Sequence, residues 1–174
     1  EAFETLVDLY QDKMYYLALR MLGNAQEAED VVQETFLRVY MNLDRYDEAH
    51  KFSTWIYRIA NNLCIDRLRR RKPTLSLDFE DENGEMTGTG YAVLSGDEDK
   101  PEEQMILTEL QSTVRDAIDK LPDKYKSVVI LRYLHDLSLQ EIGEVLDLPV
   151  TTVKTRVHRA REALRLKLQG QQLI

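Results

Sequence analysis

The chain has 174 residues, 43% of them hydrophobic, with seven glycines, four prolines and a formal net charge of −8. That length and composition suit one ordinary helix-rich domain or two small ones. They exclude a disulfide scaffold, because Cys64 is the single cysteine, and give no zinc pattern, because His50, His135 and His158 match no ligand spacing.

Phe3, Leu6, Val7, Tyr10, Met14, Leu17 and Met21 trace one helical apolar stripe, which Gly23 ends as a C-cap residue. Asn24 is placed to cap a second helix whose acidic first turn, with Glu27, Glu29 and Asp30, suits the helix dipole. Its inner face is Val31, Val32, Thr35, Phe36 and Val39, which leaves Asp30, Gln33 and Glu34 together on the outer one. On residue type alone that outer face reads as an ordinary solvated surface. A polar connection from Asp44 to Lys51 leads to Ser53 as a further cap. Ile56, Ile59, Ala60, Leu63 and Leu68 then carry a third helix into the basic cluster Arg67, Arg69, Arg70, Arg71 and Lys72. The start of this helix, Phe52 to Asn62, holds the only tryptophan, Trp55, and two adjacent amides. Such a set suits single-stranded nucleic acid, through aromatic stacking, cationic backbone contacts and amide readout of an extruded base. Core aromatics followed by a solvated helix end account for it equally well.

Residues 73–101 include Pro73, Gly84, Gly88, Gly90, Gly96 and Pro101 and show no sustained periodicity, so a mobile acidic tether is expected. Beyond it, Ile106, Leu110, Val114, Ala117 and Leu121 fall on one helix. Pro122 and Asp123 open another with Val128, Val129, Leu131 and Leu134. Ser138 and Glu141 have the spacing of a capping box, and Ile142, Val145 and Leu146 continue at helical spacing. Asp147, Leu148 and Pro149 break that helix, because the residue before proline is pushed out of the helical region. In the next helix Val153, Val157, Ala160 and Leu164 face inward, while Thr151, Lys154, Thr155, His158, Arg159 and Glu162 face outward. Two helices in this relation, the second basic on its outer face, predict a helix-turn-helix shaped for the major groove.

The net charge conceals a partition. Residues 1–71 hold 10 basic and 12 acidic groups, residues 72–104 hold 2 and 10, and residues 105–174 hold 11 and 9. From Pro149 onward six basic groups face only Glu162. Binding responds to the field within a Debye length of about 8–10 Å, so this local excess outweighs the acidic total. No apolar stretch reaches the length of a membrane span and no secretory signal is visible, which predicts a soluble cytoplasmic protein. The first residue is Glu1 rather than methionine, which suggests a short native stretch before it. No Ser/His/Asp set, nucleotide-binding glycine loop or metal cluster is legible, so neither an enzyme nor a cofactor is expected.

Three runs in order, AEDVVQETF, KFSTWIYRIANNLCIDRLRRR and LSLQEIGEVLDLPVTTVKTRVHRAREAL, resemble the extracytoplasmic-function (ECF) group of bacterial sigma factors over nearly the whole chain, and within it the sigma-W-like type. The resemblance implies an all-α protein of two small domains, a region 2 bundle at 1–72 and a region 4 helix-turn-helix domain at 102–174, joined by the linker 73–101. It implies that the motif matched by Asp30, Gln33, Glu34 and Phe36 docks the clamp helices of core RNA polymerase. Lys51, Ser53, Thr54, Trp55, Arg58, Asn62 and Arg67 would meet the −10 element, Asn62 at the pocket for a flipped base. Thr151, Lys154, Thr155, Arg156, His158, Arg159 and Arg161 would meet the −35 element, although His158 stands where an aromatic is common. The partners so implied are core RNA polymerase, promoter DNA and a membrane-anchored anti-sigma factor, with the free chain a monomer. A free-standing regulator that binds duplex DNA alone, or an interaction module with a vestigial helix-turn-helix, are the rivals. A plain regulator has no use for Trp55, Asn62 and Arg67 to Arg71 grouped on one helix.

Overall fold

In the computed structural model, which describes residues 2–71 and 112–170, every regular element among those residues is helical. The tether 73–101 and the positions Ile106 and Leu110 lie outside the described residues, and so do the expectations attached to them. Helix α1 (Ala2–Leu22) buries Met14, Leu17, Ala18, Met21 and Leu22, the C-terminal half of its apolar stripe. It ends where Gly23 adopts φ 70° and donates its N–H to the Leu19 carbonyl at 2.8 Å, a left-handed conformation that glycine takes without steric cost. Helix α2 (Ala25–Met41) is capped by the Asn24 side chain, which accepts the Glu27 N–H at 2.9 Å. Val31, Val32, Thr35, Phe36 and Val39 all turn inward as their spacing predicts. A single 3-10 turn, Leu43–Arg45, precedes the loop into α3 (Phe52–Arg71). That helix starts one residue before the expected cap, so Ser53 lies in its first turn, and the Lys51 carbonyl accepts the Trp55 N–H at 3.2 Å.

The C-terminal part begins with α4 (112–119). Pro122 then opens α5 (Asp123–Val129), which widens into a π-helical turn, Ile130–Leu134. There the His135 N–H reaches back five residues to the Ile130 carbonyl at 3.1 Å. Such bulges have no periodicity signature and mark places where a side chain must be re-aimed. Helix α6 (Leu139–Leu146) carries the predicted capping box: Ser138 Oγ accepts the Glu141 N–H at 3.0 Å, and Glu141 Oε1 accepts the Ser138 N–H at 2.9 Å. Asp147, at φ 57°, reverses the chain, and α7 (Val150–Gly170) starts as the Pro149 carbonyl accepts the Val153 N–H at 3.1 Å. The turn closes tightly over α6. A Cβ added to the buried Gly143 would lie 2.8 Å from the Leu148 carbonyl oxygen, which is backbone and unable to swing away.

The two parts do not hang apart. Their buried apolar side chains form one continuous cluster, with α3 packed on α6 and α1 touching the π-helical turn. Polar contacts stitch the same boundary. Tyr57 Oη lies 2.9 Å from His135 Nδ1, with the two rings edge to face at 5.4 Å. Lys126, only 7% exposed, donates to the Met21 carbonyl at 3.4 Å, and Arg20 pairs with Asp119 at 3.8 Å. Burial, aided by nearby Lys13 and opposed by Asp136, lowers the His135 pKa from 6.5 to about 4. Desolvation likewise pushes the Tyr57 phenol up to about 12. Both side chains are therefore neutral across the physiological range, which lets the phenol donate to the imidazole.

Two outcomes test this packing. Gly143→Ala should lower unfolding stability by about 1–3 kcal/mol, the usual cost of overpacking. Gly170→Ala, whose added methyl meets open space, should leave denaturant midpoints unchanged. The unfolded chain should take up a proton at His135 between pH 6.5 and about 4 that the folded chain refuses. The stability tied to His135 is whole above that window and is lost as pH falls through it. Urea titrations of the wild type and His135→Gln should converge on acidification across this range; parallel curves would show that His135 titrates as it does in water.

Candidate nucleic-acid interface

Helix α7 presents its groups as the sequence spacing requires. Val153 and Ala160 are fully buried against α5 and α6, with Val157 and Leu164 half-buried beside them. Thr151, Lys154, Thr155, His158, Arg159 and Arg161 are exposed, and Arg156 is half-buried at the edge of the same face. Thr155 donates its hydroxyl proton to the Thr151 carbonyl at 3.1 Å, which leaves its oxygen as an acceptor. The single carboxylate of the helix, Glu162, is held by Arg165 at 2.9 Å, one turn toward the C-terminus. The first three turns thus offer cations and small polar groups on a surface wide enough to enter a major groove.

A second surface forms where the loop 46–50 meets the start of α3. The Tyr46 hydroxyl donates to the His50 carbonyl and the Asp47 carboxylate accepts the Ala49 N–H at 3.0 Å, so this loop is closed by its own side chains. Tyr46 stacks on Trp55 with centroids 5.0 Å apart at 23°, and Phe52 meets both rings edge-on. Lys51, Arg58 and Asn62 are exposed on the same stripe of α3, with Trp55 and Ser53 half-buried. The adjacent amide behaves differently: Asn61 is 2% exposed and belongs to the core. A cleft of about 910 Å³ runs between this surface and the helix-turn-helix, with Arg45, Tyr46, Trp55 and Arg58 on one side and Gln140, Glu144 and Asp147 on the other.

Three expected site residues are placed elsewhere. Thr54 is 3% exposed and its hydroxyl donates to the Lys51 carbonyl at 2.8 Å, so it holds the helix start rather than a ligand. Arg67 turns back to Asp30, 4.0 Å away, so it braces α3 on α2; at helical spacing the stripe of Trp55, Arg58 and Asn62 reaches Arg69 instead, past Asp66. Phe36 is 7% exposed and packs edge-on to Phe3 at 6.3 Å, so it supports the α2 face from beneath without forming it. Asp30, Gln33 and Glu34 do lie at the surface, with Glu34 joined to Arg38 at 3.2 Å.

Two groups of residues were missed from the sequence. Tyr46 and Arg45 complete the aromatic and cationic cleft wall, and the signal for them was an aromatic inside an otherwise polar connection. Leu37, Tyr40 and Met41, 57%, 64% and 68% exposed, extend the outer face of α2 beyond Gln33. Large apolar residues at helical spacing off the inner stripe were their signal, because a contiguous exposed patch marks a partner surface.

The chain matches the family model of sigma-70 region 2 over residues 6–74 and that of sigma-70 region 4 over residues 111–164. It is 52% identical over 169 residues to the ECF RNA polymerase sigma factor SigW of Bacillus subtilis, covering 97% of this chain and 90% of that one. It is 38% identical over 170 residues to the RNA polymerase sigma-H factor of Pseudomonas aeruginosa, covering 97% and 86%. The solved sigma factor RpoE from Bartonella quintana, in complex with the anti-sigma factor NepR, shares the fold at a TM-score of 0.68 and 20% identity, covering 97% of both chains. With two family models in the right order and close relatives along its length, the chain belongs to the ECF sigma factors of RNA polymerase.

Proposed function

We propose that this chain is a promoter-specificity subunit that brings core RNA polymerase to −10 and −35 elements and performs no chemistry itself. The observation that carries the reading is the coexistence, in one chain, of an exposed basic recognition face on α7 and an aromatic, cationic surface on α3. A duplex reader needs only the first; strand opening needs the second as well. In this assignment Lys154, Thr155, His158 and Arg159 meet base edges of the −35 element, with Thr151 at the leading end of the helix. Arg156 and Arg161 hold phosphates. Tyr46, Trp55 and Asn62 take unstacked bases of the −10 strand, with Arg45, Lys51, Ser53 and Arg58 along its backbone. The α2 face, Asp30, Gln33 and Glu34 continued by Leu37, Tyr40 and Met41, docks on the polymerase clamp, since polar groups steer the encounter and buried apolar anchors hold it.

We take residues 1–72 and 102–174 as the working units, and the family resemblance implies that the acidic stretch between them meets a basic channel of the enzyme. Among the described residues no helix is long and apolar enough to cross a membrane. We place the chain in the cytoplasm beside polymerase, held when idle by an anti-sigma factor, membrane-anchored as the family resemblance implies, that covers the α2 patch. The solved neighbour RpoE is in complex with the anti-sigma factor NepR.

Two sets of variants test the assignment in a reconstituted holoenzyme. An arginine bidentate to guanine discriminates by about 1–3 kcal/mol, whereas a phosphate contact weakens all sequences alike. Arg159→Ala should thus relax −35 sequence choice, and Arg161→Ala should lower affinity and its salt slope without changing selectivity. Equal selectivity in both would refute the orientation of α7. The triple variant Asp30→Ala, Gln33→Ala, Glu34→Ala gives up two partly exposed ion pairs, to Arg67 and Arg38, which contribute little to stability; it should keep its helical fold and yet bind core polymerase at least tenfold more weakly, the loss that about 1.4 kcal/mol produces. Undiminished capture of core enzyme by that variant would return the α2 face to plain solvent exposure.

A further inference from the structure

We propose that the carboxylates of α6 and its following turn occupy the phosphate-binding cations of α3, so that the free chain masks its own surface for the −10 strand. The proposal rests on the assignment of that surface made above. Arg58 Nη2 lies 3.5 Å from Asp147 Oδ2 across the cleft, and at the start of α3 Lys51 Nζ lies 3.8 Å from Glu141 Oε2 of α6. The two walls are complementary in charge. Arg45 and Arg58 line the α3 side, where the one carboxylate, Asp47, is taken up by the Ala49 N–H, and Glu144 and Asp147 line the other, which has no basic residue among those facing the cleft. Each carboxylate offers what a phosphate offers, negative oxygens to a guanidinium or an ammonium. A −10 strand and the helix-turn-helix would therefore compete for the same cations.

The strength of the mask fits a displaceable one. The side chains of Arg58, Asp147 and Lys51 are 46%, 81% and 71% exposed. Ion pairs so open to water contribute little each and weaken with salt. What makes them effective is their placement. The buried contacts beneath, Tyr57 to His135 and Lys126 to the Met21 carbonyl, already hold the two halves together. The carboxylates are then delivered at a high effective concentration with little further ordering cost. Linkage makes the coupling reciprocal: whatever separates α3 from α6 exposes the cations, and a strand bound to the cations favours separation.

Amide substitutions remove the charges and keep the local structure. Glu141→Gln retains a capping-box partner, Asp147→Asn suits a left-handed position, and Glu144→Gln lies on the exposed side of α6. The free chain and this triple variant are titrated with a fluorescent mixed-sequence DNA strand of about 12 nucleotides, within the reach of such sites. Trp55, the only tryptophan, reports the cleft directly through its emission. A second triple variant, Glu4→Gln, Asp8→Asn and Asp12→Asn on exposed positions of α1 that do not line the cleft, removes the same charge. The mask predicts a gain in affinity of about 3- to 10-fold over that control, together with a red-shifted Trp55 emission. A gain no larger than the control's overturns it. Lys51→Ala with Arg58→Ala separates the two ideas. If that variant binds the strand like wild type, the α3 assignment is wrong. If it loses binding while the amide variant gains nothing, the mask alone is wrong.

Discussion

Packing of α3 against α1, α2 and α6 at the same time sets the direction in which every group on the surface proposed for the −10 strand points. The helix buries Ile56, Tyr57, Ala60, Leu63, Cys64 and Leu68 around roughly half of its circumference, and at 100° per residue this leaves one stripe of Lys51, Trp55, Arg58 and Asn62. Aromatic contacts from Tyr46 and Phe52 then hold Trp55 against rotation. A recognition surface built on a helix anchored from three directions is more sharply placed than one built on a loop. The burial of Cys64, whose thiol is pushed up to about 12 by desolvation, belongs to the same packing and leaves that group unreactive.

The boundary between the two halves has a different character from the cores on either side. It joins apolar contacts to buried polar groups that carry costs when separated from their partners. Lys126 is nearly inaccessible, and Arg20 and Asp119 are both shifted toward their neutral forms by burial. Replacing such pairs with apolar side chains would often hold the halves more firmly. A boundary with polar stitching can open, because the exposed groups find water or a new partner when it does. Polar boundaries of this kind are commoner between separable domains than at obligate interfaces.

The helix-turn-helix shows the reverse economy. Its capping box, the left-handed Asp147 and the close approach over Gly143 are satisfied within a dozen residues. The proposed recognition face on α7 stays exposed where the helix-turn-helix packs on α3, while the proposed α3 surface faces the cleft, so the two differ in how accessible that packing leaves them.

What the sequence determined by itself was everything governed by contacts between near neighbours. Helix phases, the caps at Asn24 and Ser138, the stop at Gly23, the break at Asp147 to Pro149 and the basic outer face of α7 all follow from spacings of three to five residues. The family resemblance followed from the same runs. Tertiary structure decided which surface residues are free to act. Thr54 is consumed at the start of α3, Arg67 is spent on Asp30, and Phe36 lies under the α2 face because Phe3, 33 residues earlier, covers it. Tyr57 meets His135 across 78 residues, and the π-helical turn that aims His135 has no local signature. Periodicity states which side of a helix is apolar; it carries no information about which other helix comes to rest on that side, and that choice alone separates a side chain offered to a partner from one already taken.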